Sequence, residues 1–294
     1  MCRSCAARPT ATDSVIRPQR RILPEQVARH YDSLDPFYRE LWGEHLHHGL
    51  WETGRESTDE AVRLLVRRVA DRAGIHSNQS VCDVGCGYGA TARLLAHERG
   101  ANVTGLTLSS VQHQHAVHAA GNDRRLRFLQ RDWLDNGLAD ASFDAVIAIE
   151  STEHMDDKPR FFSEAARVLR PGGRLVVCAW LSTEAPRPWE RRYLLEPICA
   201  EGRLPSMGSA VEYNAWIAAA GLTLESCDDV TPRVQRTWTL TTTRMLRRIV
   251  TRPSSWSFLL NPANQDRVFA RTVIRILLAY RTGCMRYGIF AARR

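Results

Sequence analysis

A short hydrophobic strand that runs into a glycine-rich turn is the feature that most constrains this chain. The segment reads Val-Cys-Asp-Val-Gly-Cys-Gly-Tyr-Gly at residues 81–89, and a helix-like segment follows it directly. Glycine tolerates positive φ and lets the backbone pass close to a ligand, and the exposed N–H groups at a helix start favour an anion. The spacing Gly85-x-Gly87-x-x-Ala90 also fits a dinucleotide-binding turn. The acid at Asp83 instead suits a ligand that carries an ammonium group.

Strand and helix signals alternate on both sides of this turn. A capping box at residues 57–60 opens a helix that Gly74 ends. Strands are predicted over 80–84, 102–108, 126–130, 145–149, 174–180, 222–227 and 286–292, and helices over 90–99, 110–120, 159–169, 211–220 and 266–281. This alternation with short loops predicts an α/β fold in which a parallel sheet is covered on both faces.

Composition narrows the class of protein further. Hydrophobic residues make up 44% of the 294 residues and charged residues 24%, which is ordinary globular usage. The longest apolar runs are strand-sized and too short to span a membrane. The eight cysteines are too sparse for a disulfide scaffold and predict a reduced, cytoplasmic protein.

The positive charge of this chain is concentrated at its two ends. The net charge is +8, yet residues 231–294 carry thirteen Arg against one Asp. This bias indicates an anionic partner or arginines that solvate exposed helix faces. Residues 1–22 predict a flexible basic tail, with an organelle transit peptide as the alternative. A domain over 23–294 follows, with its core at 57–180.

The motifs resemble those of class I S-adenosylmethionine (SAM) methyltransferases. The resemblance rests on D-V-G-C-G-Y-G at 83–89, F-D-A-V-I-A-I-E at 143–150 and L-R-P-G-G at 169–173. A narrower resemblance to γ-tocopherol methyltransferases rests on residues 37–49, E-S-T-E-H-M at 150–155, L-P-S at 204–206 and Y-R-T-G at 280–283. Plant alkaloid N-methyltransferases and bacterial sugar O-methyltransferases share much of this pattern. The resemblance implies a Rossmann-like sheet of order 3-2-1-4-5-7-6, with helical lid segments at about 23–56, 181–208 and 229–283.

The resemblance also implies which residues bind SAM. They are Asp83, Gly85, Cys86, Gly87, Gly89, Thr107, Leu108, Ser109, Gln112, Asp132, Trp133 and Ile149. Asp83 is expected near the ammonium group, and Asp132 and Trp133 at the adenine. The second strand departs from the class, because Thr107 stands where an acid usually binds the ribose. Thr107, Ser109 and Gln112 are expected to share that role, and the missing acid also disfavours a nicotinamide cofactor.

Three residues are candidates for catalysis, each with a structural alternative. His154 follows the fourth strand and is the expected general base for a phenol; otherwise it is a structural loop histidine. Glu150 is expected to orient His154 or to line the SAM pocket, or else to cap a helix. Tyr31 is expected to bound the methyl-transfer chamber, or else to pack a helix.

The predicted acceptor is a lipophilic aromatic small molecule of the tocopherol or quinol kind. Four tryptophans, Trp180, Trp189, Trp238 and Trp256, form either its pocket or ordinary lid core. The basic 266–281 helix either contacts a membrane surface or packs on the sheet. No metal site is predicted, since His45, His47 and His48 lack completing ligands. An acidic loop at 150–153 disfavours nucleic acid as a substrate or partner of the protein. The alternatives are methylation of an alkaloid amine or glycoside, and a catalytically silent SAM-binding module.

Overall fold

A mixed sheet covered by helices on both faces forms the centre of the computed structural model. The structure describes residues 15–251 and 269–294. The strands within these ranges are β1 (Ser80–Val84), β2 (Asn102–Thr107), β3 (Leu126–Gln130), β4 (Phe143–Ile149), β5 (Leu169–Ser182), β6 (Thr223–Asp229) and β7 (Met285–Arg293). They lie in the order β3-β2-β1-β4-β5-β7-β6. The first five are parallel, and β7 is antiparallel to both β5 and β6. The predicted strand order is confirmed.

Helices connect the strands and extend over one edge of the sheet. They are α1 (Pro24–Trp42), α2 (Thr58–Ala73), α3 (Ala90–Arg99), α4 (Ser110–Ala120), α5 (Lys158–Val168), α6 (Pro188–Glu190), α7 (Glu196–Glu201), α8 (Ala210–Ala219), α9 (Thr231–Val234), α10 (Arg236–Thr251) and α11 (Phe269–Thr282). A π-helical turn at Arg191–Leu195 joins α6 to α7, and short 3₁₀ turns lie at Trp133–Asp135 and Thr152–His154. In the part of the chain described, no helix is long and apolar enough to cross a membrane.

Local chemistry explains where α2 begins and ends. Ser57 Oγ accepts a hydrogen bond from the Glu60 backbone N–H, and the Glu60 carboxylate accepts one from the Ser57 N–H. This reciprocal pair satisfies two N–H groups that the first turn of a helix leaves without partners. Gly74 ends the helix in the left-handed conformation, with φ of 64°. The predicted capping box is therefore confirmed.

The strand β5 is longer than the sequence predicts. The prediction begins it at Arg174, after the Pro-Gly-Gly turn, whereas the structure begins it at Leu169, opposite Phe143. The register shifts between Phe143 and Ala145, so the turn forms an irregularity inside one continuous strand. Gly172, with φ of 78°, provides the backbone conformation that this irregularity requires.

Alternation along the strands divides the core into two hydrophobic clusters, one on each face of the sheet. Val81 and Val176 belong to the cluster that packs against α2 and α3, and their neighbours Cys82 and Val177 belong to the cluster that packs against α5 and α8. Successive side chains of a strand point to opposite faces. The central strands are therefore apolar on both sides, as expected for a parallel sheet.

The packed part of the chain begins before residue 23. Ile16 is fully buried and forms a two-way backbone bridge with Met207, and Ile22 is also buried. The flexible tail predicted over 1–22 therefore does not extend to these residues, because their apolar side chains are buried in the protein. Residues 1–14 lie outside the described residues.

The basic helix α11 packs on the protein through its apolar side. Val273, Ile276 and Tyr280 are buried, and Arg275 pairs with Glu201 on α7. Arg271 is exposed. Arg267, the first arginine of the predicted stripe, lies outside the described residues.

Candidate active site

The turn after β1 opens a space for a ligand. Gly85, Gly87 and Gly89 have φ values of 76°, 53° and 74°, a region that side chains rarely adopt. A Cβ atom on Gly85 would lie 2.3 Å from the Ser151 Cβ, and one on Gly89 would lie 2.6 Å from the Phe128 ring. A Cβ on Gly87 would meet nothing within 4 Å. Gly85 and Gly89 therefore allow close packing, whereas Gly87 faces the open cleft.

Asp83 supplies a buried carboxyl group at the base of this turn. Its side chain is 2% exposed, and its Oδ2 has no hydrogen-bond partner in the described structure. Burial raises the pKa of Asp83 to about 7. A buried polar atom without a partner is costly, and an ammonium group would satisfy it. Asp83 borders a cavity with Cys86 and the loop glycines, so this end of the site fits the methionine moiety of SAM.

A larger cleft continues from this cavity along the carboxyl ends of the strands. It is lined by most of the predicted cofactor-binding residues, namely Gly85, Gly87, Thr107, Leu108, Ser109, Gln112, Asp132, Trp133 and Ile149. Gly89 lines neither cavity, because it packs against Phe128. Ligands of open α/β sheets bind at this edge, so the predicted residues are brought together where a nucleoside would lie.

The polar side chains after β2 are already hydrogen-bonded to one another. The Thr107 hydroxyl donates to Gln112 Oε1 at 2.9 Å, and Ser109 Oγ accepts from the Gln112 backbone N–H at 3.0 Å. The Ser109 hydroxyl donates to the carboxylate of Asp32 on α1. The ribose role predicted for these residues stays a prediction. The carboxylate next to them comes from α1, which sequence reasoning missed.

The two residues predicted at the adenine differ in what they offer. Asp132 Oδ1 accepts from the Leu134 backbone N–H at 2.8 Å, which opens the 3₁₀ turn after β3. Trp133 is buried, and its indole N–H donates to the Phe161 carbonyl at 3.2 Å. Trp133 therefore borders the cleft as an apolar wall, since its polar atom is already paired.

Tyr31 and His154 form a hydrogen-bonded pair. Tyr31 Oη lies 2.8 Å from His154 Nε2, and His154 Nδ1 lies 3.1 Å from the Arg203 carbonyl. A carbonyl only accepts, so Nδ1 carries the proton and Nε2 is the acceptor of the neutral ring. Burial lowers the pKa of His154 to about 4, which keeps the ring neutral near pH 7. Its basic nitrogen therefore points toward Tyr31.

Glu150 holds the surrounding framework and does not orient His154. Its Oε1 accepts from the His48 backbone N–H at 2.7 Å and the Tyr287 hydroxyl at 2.8 Å. Its Oε2 accepts from His48 Nδ1 at 2.9 Å and the Trp180 indole N–H at 2.8 Å. The prediction that Glu150 orients His154 is wrong, because the Arg203 carbonyl occupies Nδ1. The second prediction, that Glu150 lines the cofactor cleft, agrees with its position in the wall.

His48 extends this network to the lid helices. Its Nε2 accepts from the Trp238 indole N–H at 2.6 Å and lies 3.1 Å from the Tyr280 hydroxyl. An indole N–H can only donate, so His48 Nε2 carries no proton and Nδ1–H points to Glu150. The His48 ring thus connects the end of β4 to α10 and α11.

A second cavity adjoins the cofactor cleft, and most of its lining residues are aromatic or aliphatic. Its apolar lining includes Tyr38, Trp42, Trp180, Ile198, Leu204, Trp238 and Ile276. Of the four predicted pocket tryptophans, Trp180 and Trp238 line it. Trp189 is 43% exposed and lies under the Arg187 guanidinium, so its predicted place in the pocket is wrong. Trp256 lies outside the described residues.

The cofactor cleft and the aromatic cavity meet at four shared residues. Tyr31, Leu46, Glu150 and His154 line both. Two reactants held in adjoining cavities would therefore approach each other at the Tyr31–His154 pair. Leu46 and the backbone around His48 come from the loop after α1, and only their place in the tocopherol-type motif at 37–49 pointed to them.

The histidines near this junction form no metal site. Within residues 15–251 and 269–294, no group of three or more His, Cys, Asp or Glu side chains is arranged to hold a metal ion. His45 Nδ1 instead lies 3.2 Å from His47 Nε2, and burial lowers the pKa of His45 to about 3.

The strand order, the glycine turn after β1 and the buried acid beside it define a class I SAM-dependent methyltransferase. The family model for mycolic acid cyclopropane synthetase matches residues 19–250, so the chain belongs to that family. A mycolic acid cyclopropane synthase crystallised with SAH and CTAB has the same fold, with a TM-score of 0.82 at 21% identity over 94% of this chain and 100% of that one.

Relatives of this chain include methyltransferases named for rifamycin and for tocopherol. The chain is 34% identical over 220 residues to the 27-O-demethylrifamycin SV methyltransferase of Amycolatopsis mediterranei (strain S699), covering 74% of this chain and 80% of that one. It is 30% identical over 293 residues to the chloroplastic tocopherol O-methyltransferase of Arabidopsis thaliana, covering 92% and 82%. The resemblance to tocopherol methyltransferases is confirmed, and SAM is the cofactor.

Proposed function

We propose that the enzyme transfers a methyl group to a lipophilic aromatic small molecule that carries a hydroxyl group, such as a chromanol or a quinol. The observation that carries this proposal is the Tyr31–His154 pair at the junction of the cofactor cleft and the aromatic cavity. The aromatic walls suit a flat apolar acceptor. The tocopherol O-methyltransferase relative supports the same class of acceptor.

The residues of the chain would hold the cofactor at the strand edge. Asp83 would face its ammonium group, the turn at Gly85 and Gly87 would pass beside its methionine moiety, and Asp132 would lie toward the base. When bound, SAM supplies a methyl group already activated on a positively charged sulfur. What remains for the protein is alignment, which contributes about 7–11 kcal/mol when reacting atoms are held near contact, and proton removal.

His154 is the proposed general base. Its Nε2 accepts a hydrogen bond, and the Arg203 carbonyl fixes the proton on Nδ1. An acceptor hydroxyl that takes the place of the Tyr31 hydroxyl would donate to the same nitrogen. A phenol titrates near pH 10, so little phenolate forms unaided, and Nε2 would take up the hydroxyl proton as the methyl group is transferred. Loss of this proton activates both the oxygen and the ring carbon beside it. A chromanol acceptor would be methylated on that carbon, which would then lose its hydrogen as a proton while the phenol is restored.

A second candidate function is O-methylation of a hydroxyl group on a secondary metabolite. The rifamycin relative favours it, since that enzyme's name places the methyl group on an oxygen. Methylation of an alkaloid amine requires no phenolate, and His154 would then accept a proton from the amine. All of these acceptors require the same cofactor cleft. They would differ only in the contacts that they make in the second cavity.

An acceptor panel tests the proposal. Purified protein is incubated with methyl-labelled SAM and chromanols, quinols, indole amines and glycosides, and products are identified by mass spectrometry. A labelled chromanol or quinol is the expected result and locates the methylated atom. Label confined to amines or glycosides would contradict the proposed acceptor while leaving the cofactor assignment intact.

We also propose that the outer side of α10 and α11 contacts an anionic membrane surface. Val250, Ile274 and Leu278 are exposed there, and neither helix contains an acidic residue. The inner side of the same two helices contributes Trp238 and Ile276 to the aromatic cavity. A lipophilic acceptor would thus reach the cavity from the bilayer.

Vesicle sedimentation tests this contact. The protein is expected to bind vesicles containing phosphatidylglycerol more tightly than phosphatidylcholine vesicles, and Leu278→Glu should weaken that binding because it adds an acid to an apolar patch. Val211→Glu is the matched control, since Val211 is also an exposed apolar residue but lies on α8. Equal binding of the two vesicle types would contradict the proposal.

A further inference from the structure

Lys158, the only lysine of the chain, lies buried close to the methyl-transfer junction. It is the first residue of α5 and is 2% exposed. A positive charge in the first turn opposes the helix macrodipole, and burying an ammonium group costs free energy unless it is hydrogen-bonded. The stability of α5 therefore does not explain a lysine at this position.

The Lys158 ammonium group has a hydrogen-bond acceptor for each of its three protons. Nζ donates to Ser206 Oγ at 2.7 Å, to the Ser206 carbonyl at 2.9 Å and to the Met155 carbonyl at 3.3 Å. Burial lowers the pKa of Lys158, and the nearby Glu153 carboxylate opposes this shift. The side chain thus joins two segments that are 51 residues apart in sequence, at Met155 and at Ser206.

Both of these segments hold His154. Met155 directly follows it, and Ser206 lies three residues after Arg203, whose carbonyl accepts the His154 Nδ1 proton at 3.1 Å. Arg203 has φ of 56°, a left-handed conformation that is strained for a residue with a side chain. The orientation of this carbonyl therefore depends on contacts that hold the surrounding loop in place. The hydrogen bonds from Lys158 to Ser206 are such contacts.

We propose that Lys158 is a positioning residue for His154. By holding Met155 and Ser206, it keeps the Arg203 carbonyl on Nδ1 and so keeps Nε2 free of a proton, facing the two cavities. The inference rests on the proposed function for the role of Nε2 in catalysis. The tautomer itself is a property of the protein without acceptor, and it is measurable separately.

The positive charge of Lys158 acts on His154 in the same direction. Burial lowers the pKa of His154, the hydrogen bond to the Arg203 carbonyl and the Glu150 carboxylate raise it, and the Lys158 ammonium group lowers it. A neutral residue at position 158 should therefore raise the pKa of His154. The acidic limb of the pH–rate profile would then move to higher pH, because the base becomes protonated sooner as the pH falls.

The test compares Lys158→Met with the unchanged protein, using protein labelled with ¹⁵N at histidine. The His154 signals are assigned by their loss in His154→Gln. The unchanged protein should show the Nδ1–H tautomer, and Lys158→Met should show a mixture of both tautomers. With the acceptor found by the panel, kcat should fall about 10- to 100-fold, which is part of the 10²–10⁴-fold that a general base contributes. The acidic limb should move to higher pH, and SAM affinity should be unchanged.

Two further variants separate positioning from folding. Ser206→Ala removes one of the three acceptors and keeps the charge, so it should weaken the Nδ1–H preference without moving the acidic limb. Ser163→Ala is the control on α5, since its hydroxyl donates to the Pro159 carbonyl on an exposed face; it should match the unchanged protein throughout. An unaltered tautomer in both Lys158→Met and Ser206→Ala would overturn the inference. An altered tautomer with no change in kcat would instead contradict His154 as the base.

Discussion

At the scale of single residues, the room for a cofactor depends on which side chains project into the cleft. Gly87 is the glycine of the β1 turn whose missing side chain leaves the cleft open, since a Cβ there would meet nothing within 4 Å. A carboxylate at this position would project into the cavity that Asp83 borders. Two carboxylates would then lie where one ammonium group binds, and the added side chain would occupy space that the cofactor needs.

Gly87→Asp should therefore weaken SAM binding by about 100-fold or more, equivalent to about 3 kcal/mol, measured by calorimetric titration. Gly121→Asp is the matched control, because Gly121 has φ of 56° and open space around its Cβ but lies at the far end of α4. Both positions have positive φ, and only Gly87→Asp should lose affinity. Equal affinities in the two variants would place the cofactor elsewhere.

Of the features predicted from the sequence, the roles of single residues were predicted least completely. The motif at 150–155 identified Glu150 and His154 together, yet it did not indicate that Glu150 accepts four hydrogen bonds from His48, Tyr287 and Trp180. These partners lie far apart in the chain. Such a network depends on tertiary packing, whereas a glycine turn is a local feature that can be recognised from the sequence alone.

At the scale of elements, α1 forms one wall of the cofactor cleft through Val27, Ala28 and Tyr31. Tyr31 bonds His154, Asp32 accepts from the Ser109 hydroxyl, and Asp35 accepts from the Tyr88 hydroxyl at 2.6 Å. These three contacts connect one helix to the ends of three different strands or turns. The sequence predicted a lid segment over 23–56. Amphipathic spacing could not indicate which of its side chains would form hydrogen bonds to the ends of the strands.

Tyr88→Phe removes the Asp35 contact and keeps the ring. It should speed SAM dissociation several-fold in stopped-flow measurements, because a neutral or charge-assisted hydrogen bond contributes about 0.5–3 kcal/mol to holding α1 closed. Tyr193→Phe is the control, since Tyr193 is 59% exposed and lies in the π-helical turn. A dissociation rate that is unchanged in Tyr88→Phe would show that α1 does not limit cofactor release.

At the scale of the whole molecule, the sheet was predicted with its strand order, because alternating strand and helix signals constrain the topology strongly. The aromatic cavity was predicted only in part. Trp180 lies on β5 and Trp238 on α10, and both reach the cavity, whereas Trp189 stays on the surface. Hydrophobic residue type indicates burial in general, but only the arrangement of β5, α10 and α11 decides which rings meet.

The central claim is that methyl transfer takes place where the cofactor cleft and the aromatic cavity share Tyr31 and His154. The most direct measurement is the single-turnover rate of methyl transfer in His154→Gln, with the acceptor that the panel identifies. We expect a loss of about 10²–10⁴-fold when the rate is measured at saturating SAM, whereas His118→Gln, at an exposed histidine on α4, should keep the full rate. A full rate in His154→Gln would contradict the claim.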